Sequence, residues 1–122
     1  MKVRAIRNSY ADAPPHVAWG TYPRSQNHLT EGKEYKVYTI SFYKACLCLL
    51  VIDDFGTESF KPSWFFEIVD RKVPKDWQVN LFDDGDRLQG LIGPEFIVRD
   101  GESYDALIEQ EPEAVEKMVK YV

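Results

Sequence analysis

Cysteine and histidine are scarce in this chain, with two of each among 122 residues. Cys46 and Cys48 lie in an apolar segment and lack the paired spacing of a structural zinc site. His16 and His28 both lie in a long polar loop, whereas a nucleophilic triad needs a rigidly held histidine beside a serine or cysteine. We therefore expect no metal, no cofactor and no enzymatic activity.

Positive charge is also in short supply, because the formal net charge is −5 and the basic residues are scattered. Binding to nucleic acid requires a dense positive surface, so it is not expected, and a basic partner protein fits the sign better. No apolar run is long enough to span a membrane, so we expect no membrane association. The segment Gly90-Leu-Ile-Gly is too short for a phosphate-binding loop and lacks the lysine that such a loop needs.

A secretion signal is not expected either, because residues 1–7 are a charged, alternating run without an apolar stretch. The protein is therefore predicted to work in the cytoplasm, where cysteines stay reduced. Cys46 and Cys48 would point the same way from one strand, and a disulfide between them would be strained. Free thiols buried beside Leu50 and Ile52 are the simpler interpretation.

Aromatic residues, in contrast, are abundant: seven Tyr, seven Phe and three Trp favour a β-rich core. The segment from Glu34 begins by alternating polar and apolar residues, which is typical of a strand with one wet face. Residues 46–52 are all apolar and end at an Asp-Asp-Phe-Gly turn, which indicates a strand covered on both faces. Pro62 to Trp64 should form one helical turn that leads into a strand from Phe65 to Val69. Residues 29–70 are thus predicted to fold into one small barrel.

The segments before and after this region are predicted to add one strand and a loop at the N-terminal side, and strands and helices at the C-terminal side. Residues 2–7 are predicted to be an edge strand, and residues 8–28 a long loop in which Trp19 and Tyr22 anchor a flap that is a candidate binding surface. Two further strands are expected, over residues 77–82 and 88–92. A helix capped by Ser103 should run to about Gln110, and a last helix should begin at Pro112. Its predicted apolar stripe consists of Ala114, Val115, Met118, Val119 and Val122.

Four segments together support a resemblance to a known group of proteins. They are Met1-Lys-Val-Arg-Ala-Ile-Arg-Asn-Ser, Leu29-Thr-Glu-Gly-Lys-Glu-Tyr-Lys-Val, Val51-Ile-Asp-Asp-Phe-Gly and Pro62-Ser-Trp-Phe-Phe-Glu-Ile-Val-Asp. In this order they resemble small bacterial and phage proteins that contain a barrel of the Src-homology-3 type. The resemblance covers residues 1–70 and implies a fold but no activity.

The predicted fold class is α+β. Residues 1–122 are expected to form a single domain, in which residues 1–70 make a small antiparallel β-barrel of the Src-homology-3 type. Residues 71–122 are expected to extend the barrel with further strands and to cap it with C-terminal helices. The sequence leaves the oligomeric state open.

Two acidic turns are candidate ion-binding or catalytic sites. Asp83, Asp84 and Asp86 surround Gly85 as in a calcium loop, but the spacing and the closing glutamate of that motif are absent, which favours a solvated hairpin. Asp53 and Asp54 suit a turn before Gly56. The aromatic residues Trp19, Tyr22, Trp64, Phe65 and Trp77 could form a ligand groove, although core packing is the commoner use of such residues.

The overall profile, small, acidic and without catalytic machinery, is similar to that of bacterial immunity proteins, which neutralise a toxin by occupying its active site. This similarity implies a non-enzymatic protein that binds a basic toxin domain through an acidic face. The residues predicted to contact the partner are Asp53, Asp54, Glu58, Asp83, Asp84, Asp86, Trp19 and Tyr22. The alternative is an adaptor that binds an extended peptide in an aromatic groove containing Trp64 and Phe65 with Tyr35 or Tyr38. A hydrolase using His16 or His28 is the third option.

Overall fold

The computed structural model describes residues 1–18, 28–82 and 87–122, apart from the side chains of residues 16 and 18. It shows the expected α+β class, with two antiparallel sheets and three C-terminal helices. The strands are β1 Lys2–Ala5, β2 Glu34–Lys36, β3 Thr39–Tyr43, β4 Cys46–Ile52, β5 Glu58–Pro62, β6 Phe66–Asp70, β7 Gln78–Leu81 and β8 Leu88–Gly93. The helices are α1 Pro15–Ala18, α2 Glu95–Val98, α3 Gly101–Ile108 and α4 Pro112–Tyr121. None of the helices in these described ranges has the length and apolar character needed to cross a membrane.

The strands of the first seventy residues do not stay together. β2, β1 and β6 form a three-stranded sheet, whereas β3, β4 and β5 join β8 and β7 in a five-stranded sheet of order β5-β4-β3-β8-β7. No closed barrel is found among the described residues. The reason is the pairing of β3, whose free edge hydrogen-bonds to β8 from the second half of the chain. The five-stranded sheet therefore contains strands from both sides of residue 70.

The β4 strand lies between two hydrophobic clusters. Leu49 and Val51 belong to the first cluster, with Val3 and Phe65, while Leu50 belongs to the second. The second cluster packs the other face of β4 against α2, α3 and α4 and includes Leu91, Ile97, Tyr104, Leu107 and Met118. Successive side chains of a strand point to opposite faces, so an unbroken apolar run is what a strand between two cores requires. The prediction that β4 is covered on both faces is confirmed for residues 49–51, whereas Leu47 near its start is 38% exposed.

The aromatic turn after β5 is also confirmed, with a shift of one residue. A 3-10 helix spans Ser63–Phe65, and β6 begins at Phe66 instead of Phe65. The Phe65 side chain is fully buried and packs edge-on against Tyr10, with 4.9 Å between ring centroids. Phe65 thus anchors the loop after β1 to the first cluster.

The C-terminal helices differ from the prediction in two details. Asp100, and not Ser103, caps α3, because the Asp100 carboxylate accepts a hydrogen bond from the Ser103 N–H at 2.7 Å. Pro112 begins α4 as predicted. Met118 of α4 is buried, whereas Val119 is 69% exposed and Val122, which follows the helix, is 56% exposed. The apolar stripe prediction was therefore wrong at its end, because the packed face is completed by Tyr121, whose ring lies near Tyr38 and Phe96.

The β7 strand is present as predicted, but its apolar face is the exposed one. Val79 is 65% exposed and Leu81 is 79% exposed. Asn80 points the other way, and its amide nitrogen donates to the Val98 carbonyl at 2.8 Å. The polar side chain is thus used to fix the end of α2 on the sheet.

Candidate functional site

The first predicted partner-binding residue, Asp53, is used within its own turn. Its carboxylate is buried and accepts hydrogen bonds from the N–H groups of Phe55 at 3.0 Å and Thr57 at 3.1 Å. Gly56 completes this turn with a φ of +77°, a conformation that glycine adopts without strain. These contacts leave Asp53 as a structural residue of the β4–β5 turn.

Asp54 is held by three donors from the neighbouring segment. Its carboxylate accepts hydrogen bonds from Lys33 Nζ at 2.8 Å, Thr30 Oγ1 at 2.6 Å and Tyr35 OH at 2.7 Å. The hydrogen bond from Lys33, with those from Thr30 and Tyr35, lowers the pKa of Asp54 to about 2. Asp54 therefore stays ionised, but the Lys33 ammonium balances its charge.

Several predicted residues lie outside the part of the chain that the structure describes. These are Trp19, Tyr22, Asp83, Asp84 and Asp86, together with the side chain of His16. His28 is described, and its ring packs against Phe55 with 4.1 Å between centroids. Within the described ranges, no group of three or more His, Cys, Asp or Glu side chains is arranged to hold a metal ion.

Glu58 lies at a cavity of about 510 Å³ between the five-stranded sheet and α3. The walls come from β4, β5, α3 and the loop after β1, and they combine aromatic side chains, aliphatic side chains and both thiols. Representative lining residues are Tyr10, Tyr43, Cys46, Cys48, Phe60, Tyr104, Leu107 and Ile108. Burial raises the pKa values of Tyr10 and Tyr104 to about 12, so both hydroxyls remain neutral donors or acceptors near neutral pH.

Three carboxylates line the same cavity, and we refer to Glu58, Asp105 and Glu109 as the acidic rim. The three carboxylates come together because β5 lies beside the end of α3. At this contact the Gln110 side-chain amide lies 3.5 Å from the Glu58 carbonyl oxygen. Arg87 also lines the cavity, and its guanidinium is 3.8 Å from the Asp105 carboxylate. The rim therefore carries more negative than positive charge.

Sequence reasoning identified Glu58 but missed Asp105 and Glu109. The two missed residues are four apart, which places them on one side of a helix, but such spacing is common on solvated helices. Nothing in the sequence links that helix to Glu58, because the link is the packing of α3 against β5.

The two thiols are close together but unreactive in character. Cys46 and Cys48 are both free, and their Sγ atoms are 3.7 Å apart on the cavity side of β4. Burial raises the pKa of each thiol, which keeps them protonated, and the thiolate is the nucleophilic form. The arrangement is suited to binding and offers no activated nucleophile among the described residues of the cavity.

The aromatic residues proposed for a peptide groove are mostly in the core. Tyr35, Tyr38 and Phe65 are buried, and each belongs to one of the two hydrophobic clusters. Trp64 is only partly buried, but the guanidinium of Arg7 lies 4.3 Å from the centre of its ring and donates a hydrogen bond to the Trp64 carbonyl. These rings therefore do not form an open groove.

The chain was compared with protein-family models, curated proteins and solved structures, and none of the three comparisons found a match.

Proposed function

We propose that this chain is a non-enzymatic protein-binding protein of the immunity type, which neutralises a basic toxin domain in the cytoplasm through an acidic surface. The observation that carries the proposal is the acidic rim, where Glu58 of β5 meets Asp105 and Glu109 of the α3 end. Opposite charges across an interface steer the encounter and fix the orientation of the partners.

The location of the proposed surface follows from the pairing of the other carboxylates. The Asp53 carboxylate is buried and accepts hydrogen bonds within its turn, and the charge of Asp54 is balanced by Lys33, so neither is well placed to contact a partner. Glu111 and Glu113 follow Glu109 in the sequence, and both are exposed. Neither of these two has an ion-pair partner within the described parts of the chain. The proposed contact surface therefore consists of the acidic rim with Glu111 and Glu113.

The burial of the aromatic residues supports this function over the adaptor function. An adaptor that binds an extended peptide needs aromatic side chains exposed in a groove. Tyr35, Tyr38 and Phe65 are instead packed in the two clusters, where they stabilise the fold. A filled aromatic core with carboxylates at the surface is the arrangement that an acidic inhibitor requires.

The experiment begins with a partner captured from the native host or encoded beside this chain. Association and dissociation rates are then measured by surface plasmon resonance for the double variant Glu58→Gln and Glu109→Gln, at low and at physiological salt. We expect the association rate constant to fall by about 3 to 10 times and to depend less on salt. The dissociation rate constant should change less.

The control is a double variant with the same change in charge far from the rim in sequence and element, Glu31→Gln and Asp76→Asn, both at exposed positions. It should keep the association rate close to that of the unchanged protein. Equal rates for the rim variant and the unchanged protein would contradict the proposed binding surface.

A further inference from the structure

The cavity behind the acidic rim has the size and lining of a small-molecule site. Its volume of about 510 Å³ lies within the range of roughly 300–1,000 Å³ that ligand pockets occupy. Ligand pockets are mostly apolar and aromatic, with a few polar groups that fix the orientation of the ligand. Here Phe60, Tyr104 and Leu107 provide the apolar wall, and Glu58 provides a polar group among them.

Glu58 has an unmet requirement for a hydrogen-bond donor. Its Oε1 atom is buried and has no hydrogen-bond partner among the described residues. A buried acceptor without a donor is unusual in a native protein, and a charged one is the most costly to leave unpaired. The terminal torsion of a glutamate is broad, so the carboxylate can turn toward a donor in the cavity at low cost.

We propose that this cavity binds a primary ammonium group carried on an apolar stem. The ammonium donates hydrogen bonds to the Glu58 carboxylate, and its charge is further stabilised by Asp105 and Glu109 at the rim. The stem packs against Phe60, Tyr104 and Leu107. This inference goes beyond the proposed function, because it concerns the interior of the cavity and holds whether or not a basic protein binds outside.

The charges of the lining favour a cation over an anion. Glu58, Asp105 and Glu109 line the cavity and carry negative charge. The described lining also includes the cation Arg87, whose guanidinium lies near the Asp105 carboxylate. An anionic ligand would meet more repulsion than attraction.

The test is a titration of the whole chain, followed by two-dimensional amide NMR, with three probes of similar shape. Phenethylamine carries the ammonium, phenethyl alcohol is neutral, and hydrocinnamate is anionic. We expect saturable shifts from phenethylamine that map to β5 and α3. We expect binding at least about tenfold weaker for the alcohol and none for the acid, because charge-assisted hydrogen bonds are the stronger ones.

A fourth probe distinguishes the two sources of such an ammonium. N-acetyl-lysine methylamide represents a lysine side chain of a protein, whereas phenethylamine represents a free amine. Saturable binding of either compound in the cavity supports the proposal, and the tighter of the two identifies the natural source.

Two variants make the test specific to the cavity. Glu58→Gln keeps the shape of the side chain and should weaken phenethylamine binding about tenfold or more, whereas Glu31→Gln, which removes the same charge at an exposed position outside the lining, should not. Ile108→Arg adds a cation at a lining residue that is 49% exposed and should also weaken binding. The proposal is overturned if neither amine binds in the cavity, if the neutral alcohol binds as well as phenethylamine, or if Glu58→Gln does not weaken the binding of the amine.

Discussion

Asp53 and Asp54 are adjacent in the sequence, yet their carboxylates have different partners. Asp53 accepts from backbone N–H groups of its own turn, and Asp54 accepts from side chains of residues 30–35. Asp53 therefore shapes the β4–β5 turn locally, while Asp54 ties that turn to the segment that leads into β2. The difference arises because neighbouring side chains at a turn point in different directions.

The replacement Asp54→Asn should lower the free energy of unfolding at neutral pH by about 1–2 kcal/mol, since it weakens three hydrogen bonds, one of them to an exposed lysine. The folded state lowers the pKa of Asp54 from 3.8 to about 2. A carboxyl group with a lowered pKa stabilises the fold above its ordinary pKa, and this stabilisation is lost as the pH falls toward the lowered value. Urea unfolding of both proteins at several pH values measures the difference.

The difference in stability between Asp54→Asn and the unchanged protein should accordingly be full at neutral pH and shrink between about pH 4 and pH 2. Asp76→Asn serves as the control, because Asp76 is exposed. It should change the free energy of unfolding by less than about 0.5 kcal/mol. A difference for Asp54→Asn that stays constant down to pH 2 would contradict the role of the ionised carboxylate.

At the scale of elements, β8 lies so close to β3 at Gly93 that a side chain there would have little space. A Cβ atom at Gly93 would lie 2.6 Å from Thr39 Oγ1 and 3.1 Å from Thr39 Cβ. Thr39 is fully buried on the central strand, so it has little room to move. Gly93 therefore permits the close approach of β8 to β3, which is the pairing that unites the two halves of the chain in one sheet.

The variant Gly93→Ala should lower the free energy of unfolding by about 1–3 kcal/mol, because it overpacks a buried contact. Gly101→Ala is the matched control, since a Cβ atom at Gly101 meets nothing within 4 Å and the residue is helical. This control should leave stability unchanged or raise it by up to about 1 kcal/mol. The free energies of unfolding of the two variants are measured by thermal or urea unfolding. Equal effects would contradict the close approach of β8 to β3 at Gly93.

At the scale of the whole molecule, β4 connects the two hydrophobic clusters. Leu50 contributes to the cluster under the helices, and its neighbours Leu49 and Val51 contribute to the cluster shared with β1 and β6. The two clusters therefore share one strand. A mutation in one cluster can test the prediction that the chain is a single domain.

Leu50→Ala should reduce stability by about 2–5 kcal/mol, because Leu50 is fully buried and a cavity would remain. If the chain unfolds as one unit, native-state hydrogen exchange should lose the same protection at Val3 in β1 as at Leu91 in β8. Leu47→Ala on the same strand, where the side chain is 38% exposed, should have a much smaller effect. Loss of protection confined to β8 and the helices would indicate two separately stable parts.

Much of the local structure could be predicted from short sequence patterns. The apolar run of β4, the proline-initiated turn before β6 and the start of α4 at Pro112 are each set by residues close in sequence. Errors occurred where a nearby residue took the role that the pattern assigned to another. Asp100 took the cap from Ser103, and Tyr121 replaced Val119 and Val122 on the packed face of α4 because it reaches the rings of Tyr38 and Phe96.

The sequence alone determined the α+β class, the positions of most strands and the absence of a disulfide, because backbone propensity and hydrophobic periodicity act over a few residues. Only the tertiary structure decided that β3 pairs with β8 and that Glu58 joins Asp105 and Glu109 around one cavity. The physical reason is that strand pairing and cavity formation depend on which distant surfaces exclude water together, and no local pattern of residues encodes that choice.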